Sequence, residues 1–232
     1  MSNTATTTTI EPLALLRLMQ LVSPGLPVGA FNFSQGLEYA IEQHWVQRDE
    51  DAQMWILGIA RYGVGTLDLP LLLRLHQAWS VGDVSLARAL SRELIAARET
   101  LELRAEERHL GQSLAKIIVE FGFEEAREWL RLPQTSYAAM FALAAVRSGI
   151  DAQTAAQGYL WAWAENQVLC AVKLLPLGQT AGQRVLDAIR KEIPTIVANA
   201  VNMGDDEIGS STPLASMASS WHETQYTRLF RS

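Results

Sequence analysis

Residues 151–177 read DAQTAAQGYLWAWAENQVLCAVKLLPL, and their pattern decides the fold. Asp151 supplies a side chain that accepts hydrogen bonds from the free amides at a helix start. From Tyr159 to Leu177 apolar residues dominate without the strict alternation of a strand. Glu165, Asn166, Gln167 and Lys173 interrupt the run, which therefore falls short of the roughly 20 uninterrupted apolar residues that a bilayer crossing needs. The stretch is predicted to be a buried core helix.

Helical punctuation recurs on both sides of it. Leu15, Leu18, Met19 and Val22 form the stripe of a first helix, which Pro24 and Gly25 end. Ser34 is positioned to cap a second helix, to about His44, and Asp49 a third, to about Gly65. Asp68 with Pro70 opens a fourth, and Asp83 a fifth that carries the charged region from Arg88 to Glu107, read as a solvated face. Two or three more helices fill residues 100–149, broken at Pro133 and Gln134 and stopped at Gly149. Thr180 and Gln183 have capping-box spacing and start a helix to about Ala198. Residues 199–212 are small, polar and acidic, a flexible surface loop, and Thr212 with Pro213 begins a last helix toward Phe230. No fixed-period repeat and no long linker appears. The expected fold is all-α: a single bundle-like domain of about ten helices over 11–232, preceded by a disordered, threonine-rich segment, 1–10.

The totals limit the partners. Nearly half of the 232 residues are apolar, enough for a sizeable core, and the net charge is −6. Only Lys116, Lys173 and Lys191 are lysines, so there is no broad basic surface for nucleic acid. Cys170 is the single cysteine, which excludes an internal disulfide framework and suits a reducing, cytoplasmic setting.

Reaction chemistry finds little purchase. Gly63-Val64-Gly65 lacks the further glycine, lysine and hydroxyl of a phosphate loop and reads as a helix end or a close-packing site. His44, His76, His109 and His222 are too far apart for neighbouring metal ligands on a helix, and His222-Glu223 fails as a metalloprotease motif because position 226 is Tyr226. No nucleophile elbow is present. Glu165 and Asn166 are the best hint of a buried polar site; they serve equally as a polar pair at the helix surface or bonded to neighbouring backbone. These patterns imply no catalytic residue, no cofactor and no metal ligand.

Two segments ask for more. Residues 23–38, SPGLPVGAFNFSQGLE, place Leu26, Val28, Phe31 and Phe33 on a Pro/Gly-constrained loop, either as a plug of the core or as a docking surface. The tail from Trp221 to Ser232 is rich in aromatic and arginine side chains, which anchor interfaces well; as a helix it would carry His222, Tyr226, Leu229 and Phe230 on one face beside Arg228 and Arg231, turned to a partner or to its own core.

LPVGAFNFSQGLEYAI at 26–41, AVKLLPLGQTAGQRVL at 171–186 and HETQYTRLFRS at 222–232 resemble, in order and spacing, the three signature stretches of the urease accessory protein UreF family. The resemblance spans the chain beyond Ile10. It implies a helical protein that is not an enzyme, forms a homodimer, binds UreD (UreH in some systems) and then the GTPase UreG, and acts as a chaperone for nickel insertion into urease apoprotein (UreA, UreB and UreC subunits). Nickel cation binding is implied for that assembly, with no metal ligand assigned in this chain. Phe31, where the family often has tyrosine, and Arg228 occupy positions implied in GTPase recruitment. Phe33, Gln35, Glu38, Lys173, Gln179, His222, Glu223, Tyr226, Leu229 and Phe230 complete the partner-binding set that the three motifs imply.

Overall fold

A computed structural model describes residues 10–232 and contains, among them, ten α-helices and no strand. The helices are α1 (Pro12–Leu21), α2 (Leu37–Glu42), α3 (Asp49–Ile59), α4 (Leu69–Val81), α5 (Val84–Ala96), α6 (Leu101–Glu120), α7 (Tyr137–Arg147), α8 (Ala152–Leu174), α9 (Gln179–Val201) and α10 (Pro213–His222). The all-α expectation holds. Asp83, Thr100, Ser136 and Asp151 each cap the helix that follows by accepting a backbone amide, the last from Thr154 N at 2.9 Å. Gly149, at φ +69°, makes the left-handed stop before α8.

The core forms where α7 and α8 enter the bundle. Every residue of α7 from Ala138 to Ala145 is buried, and α8 packs against α2, α3, α4, α7 and α9. Small residues set the spacing. A Cβ on Gly158 would come within 2.6 Å of Leu18 on α1, one on Gly182 within 2.6 Å of Val172, and one on Gly65 within 2.7 Å of Ile196, so Gly65 has the close-packing role. Of the α1 stripe, Leu18 and Val22 pack on the core while Leu15 and Met19 are exposed, because the ten-residue helix meets the bundle along one edge. Of the segment expected to be disordered, residues 1–9 lie outside the described residues; Ile10 packs, half-buried, against the core.

Several boundaries differ from the sequence pattern. No break falls at Asp68 and Pro70: α3 and α4 join through a π-helical stretch, Ala60–Asp68, into one helix from 49 to 81. Pro70 lacks the amide that would satisfy Thr66 O, and Gly209 N donates to that carbonyl instead at 3.0 Å. The joined helix is long and apolar enough to cross a membrane, yet 61% of its most apolar window is buried in this fold. The expected loop at 199–212 starts later, since α9 runs through Val201, and it is fastened to α4 by Arg74, which donates to Asp205 Oδ1 at 2.7 Å and Met203 O at 3.0 Å. Helix α9 starts at Gln179 after Gly178 with no side-chain cap, so Thr180 and Gln183 form no capping box. Helix α2 starts at Leu37, although Ser34 Oγ still accepts from Glu38 N at 3.3 Å.

The charged region from Arg88 to Glu107 is not one solvated face. It breaks between α5 and α6, and Arg98 turns inward to bind Asp68 on the π-helical stretch and Glu107 Oε2 at 2.6 Å. Tyr159 donates to Asp68 Oδ1 at 3.2 Å, and Tyr137 N to Glu107 Oε1 at 2.7 Å. Burial alone would lower the Arg98 pKa; the two carboxylates outweigh it and raise the value well above the ordinary arginine range. Replacing Arg98 with methionine leaves two buried carboxylates without their cation and is expected to cost on the order of 3 kcal/mol or more. Urea unfolding followed by circular dichroism measures it, and an unchanged midpoint would refute this role.

Candidate functional site

The tail is not helical beyond His222. It turns at Glu223 and returns across the 29–38 loop, where Arg231 N donates to Asn32 O at 2.7 Å and Ser34 N to Ser232 O at 2.8 Å. The helical face expected for His222, Tyr226, Leu229 and Phe230 therefore does not exist. The reason is tertiary: the tail amides of Leu229 and Phe230 find better acceptors in the buried Glu38 carboxylate than a continued helix would offer.

Three glutamates make that seat. Glu38, on α2, accepts from Leu229 N at 2.6 Å through Oε1 and from Phe230 N at 2.9 Å through Oε2. Glu102, at the start of α6, takes Arg228 Nη1 on Oε1 at 2.6 Å. Glu106, one turn further, takes Gln35 Nε2 at 2.8 Å and Ser232 Oγ at 2.9 Å. The fully buried His222 ring stands between the first two, with Nε2 3.1 Å from Glu38 and Nδ1 2.7 Å from Glu102. These carboxylates approach opposite sides of the imidazole, so the three groups do not converge on a point where an ion would sit. Glu223 Oε1 accepts from Leu101 N at 2.8 Å and so satisfies a free amide at the start of α6.

The loop is fixed from the core side. Gln35 Oε1 accepts from Trp163 Nε1 at 2.8 Å, and Asn166 Nδ2 donates to Phe33 O at 3.2 Å. Asn166 thus follows the bonded-to-backbone reading, while partial burial raises the pKa of Glu165. Gly36, at φ +83°, is required twice over: any Cβ there would lie 2.7 Å from Ser219 N, so α10 approaches the loop only because the side chain is missing. Behind the loop, Ala30, Gln35, Glu106, Trp163 and Asn166 line part of a polar-edged cavity of about 100 Å³.

The two readings of the loop divide between its residues. Leu26, Val28 and Phe33 are buried and plug the core, with Phe33 against the His109 ring, whereas Phe31 is 56% exposed. The tail divides likewise. Phe230 is buried beside Leu37, Cys170 and Leu175, while Leu229 is 67% exposed and Tyr226 fully so. Lys173 joins the two segments, its Nζ 5.8 Å from both the Phe31 and Phe230 rings. Phe33, Gln35, Glu38, His222, Glu223 and Phe230 thus build the surface from beneath; Phe31, Lys173, Tyr226, Arg228 and Leu229 present it. Gln179 is exposed at the start of α9, outside these contacts. Trp221 packs its ring 5.6 Å from Tyr39 and 5.9 Å from Trp45.

Sequence reading missed Glu102 and Glu106, and the part that Ser34 and Ser232 take in joining loop and tail. The four-residue spacing of the two glutamates, which puts them on one face of α6, was the available signal, hidden inside a charged run.

Fold and surface together define the class: an all-α protein whose distant loop and tail are seated as one surface. A model of the UreF family matches residues 46–190. The urease accessory protein UreF of Alkalilimnicola ehrlichii is 44% identical over 226 residues, covering 97% of this chain and 99% of the relative. The UreF of Hahella chejuensis is 45% identical over 223 residues, covering 96% and 100%. The chain belongs to the UreF family of urease accessory proteins.

If Glu38 holds the tail, Glu38→Ala frees two amides and should raise hydrogen exchange at 229–230 roughly 10- to 100-fold, as expected for loss of charge-assisted hydrogen bonds. Helix content should stay constant. Unchanged exchange there would contradict the seat.

Proposed function

We propose that this chain is the nickel-insertion scaffold of urease maturation, binding UreD (UreH) and recruiting the GTPase UreG to the urease apoprotein of UreA, UreB and UreC subunits. It acts by assembly rather than catalysis, as a homodimer in the cytoplasm. The observation that carries the reading is the hydrogen-bonded pairing of the loop that carries Phe31 with the tail that carries Arg228, segments far apart in sequence, within a UreF-family chain. Phe31, Leu229 and Tyr226 offer exposed apolar area, and Arg228 and Lys173 add cationic groups at its edge. Such a mixture of aromatic and arginine side chains is what protein interfaces use as anchors. Glu102 binds one guanidinium nitrogen of Arg228 and leaves the side chain 39% exposed, so the group is oriented yet accessible.

Because His222 and Phe230 are core residues, removing 222–232 would also damage the fold; exposed single positions give the cleaner test. Arg228→Ala and Phe31→Ala should each reduce capture of UreG in a pull-down by about tenfold or more, the scale of an interface anchor. UreD binding and thermal stability should change little. Arg228→Lys should lose most of the capture as well, since lysine lacks the planar fork. Undiminished UreG capture and full urease activation by both alanine variants would sink the proposal.

A further inference from the structure

Glu106 forms no ion pair with an arginine or lysine in the seat, whereas Glu102 holds Arg228. Arg98, whose charge opposes the rise of the Glu106 pKa, is committed to Asp68 and Glu107, and Arg228 to Glu102. The Glu106 side chain is 5% exposed and takes one hydrogen bond from the loop, through Gln35, and one from the tail, through Ser232. It is thus a buried carboxyl at the point where both segments meet α6. We propose that Glu106 is the proton-binding latch of the loop–tail surface: neutral, it holds both segments down; charged, it loosens them.

Both forms keep two hydrogen bonds. As a carboxylate Glu106 accepts from Gln35 and Ser232; as a carboxylic acid it keeps Gln35 on one oxygen and donates its own proton to Ser232 Oγ from the other. What separates them is a bare charge on a carboxyl of a residue only 5% exposed. Burial raises the Glu106 pKa from 4.5 to about 7, with Glu107 adding to the rise and the two hydrogen bonds and Arg98 opposing it. An acid whose pKa is higher when seated than when free binds a proton on seating. Seating is therefore strongest at low pH and weakens as pH rises through the window from 4.5 to about 7. Between pH 6 and 8 this linkage amounts to a weakening of about tenfold.

The surroundings contain other titratable groups. On α6 Glu102 and Glu107 flank it; the segment before α6 brings Arg98 and Glu99, the π-helical stretch Asp68, α7 Tyr137 and α8 Tyr159 and Cys170. Glu38 and His222 lie on the other side of the seat. Apart from Glu106, His222 and, on α6, His109, which packs against Phe33 and Gly29 of the loop, are the groups whose charge ordinarily changes near neutrality, so the test must separate Glu106 from both.

The latch concerns the chain's own seating, whatever partner the surface binds. Hydrogen exchange by mass spectrometry on the full chain at pH 6 and pH 8, corrected for intrinsic rates, reads it through peptides covering 29–36 and 225–232. Wild type should lose about tenfold in protection in both peptides at pH 8. Glu106→Gln keeps the shape and the Gln35 contact without a titrating proton, and its protection should be flat across the same range. A tenfold loss that persists in Glu106→Gln would assign the effect to another group, His222 or His109, and overturn the latch, as would pH-independent protection in wild type. Should the variant fail to fold, a carboxyl-carbon NMR titration of the wild-type chain decides: one glutamate with a midpoint near 7 supports the latch, and all glutamates titrating below 6 refute it.

Discussion

Two consecutive amides, those of Leu229 and Phe230, end on the two oxygens of a single buried carboxylate, Glu38. A chain segment that leaves a helix needs acceptors for its free amides, and a buried carboxylate needs donors or a cation. Each deficit satisfies the other here. Once Glu38 holds residues 229 and 230, His222 is trapped between Glu38 and Glu102, Arg228 reaches Glu102, and Ser232 reaches Ser34 and Glu106. The exposed side chains between these anchors, Tyr226, Arg228 and Leu229, are thereby given fixed places on the surface.

The same logic of paired deficits runs through the body of the fold. Pro70 leaves the Thr66 carbonyl unsatisfied, and Gly209 fills it, which also fastens the segment between α9 and α10. The π-helical stretch turns Asp68 inward, where a lone charge would be costly, and Arg98 meets it together with Glu107. The charges of the Arg88–Glu107 region are thus split: Arg98, Glu106 and Glu107 are internal, and Arg88 pairs with Glu128 at the surface.

Membership of the UreF family accounts for the three sequence signatures, and the structure distinguishes what each residue in them does. The family match over 46–190 covers the helical frame from α3 into α9, whereas the loop and the tail lie outside it. Relatives align over 96–97% of the chain, well beyond that frame. Within the loop, Phe33 faces the core and Phe31 the solvent; within the tail, Phe230 faces the core and Leu229 the solvent. Each short apolar stretch therefore contains both a part that shapes the surface and a part that is presented on it.

By itself the sequence determined most of the helices, because caps such as Asp83 and Asp151 and the apolar spacings between them act within a few residues. It also marked the loop and the tail as unusual, through their density of apolar groups where chain breaks and ends are normally polar. Only the tertiary structure decided which way those groups face, that the last helix stops at His222, and that Asp68 and Pro70 continue a helix rather than open one. Each of those outcomes rests on a partner more than 20 residues away: Glu38 for the tail amides, Gly209 for Thr66, Arg98 for Asp68. Local propensity carries no record of such partners, since buried charge and unpaired amides are satisfied only where the folded chain brings them together.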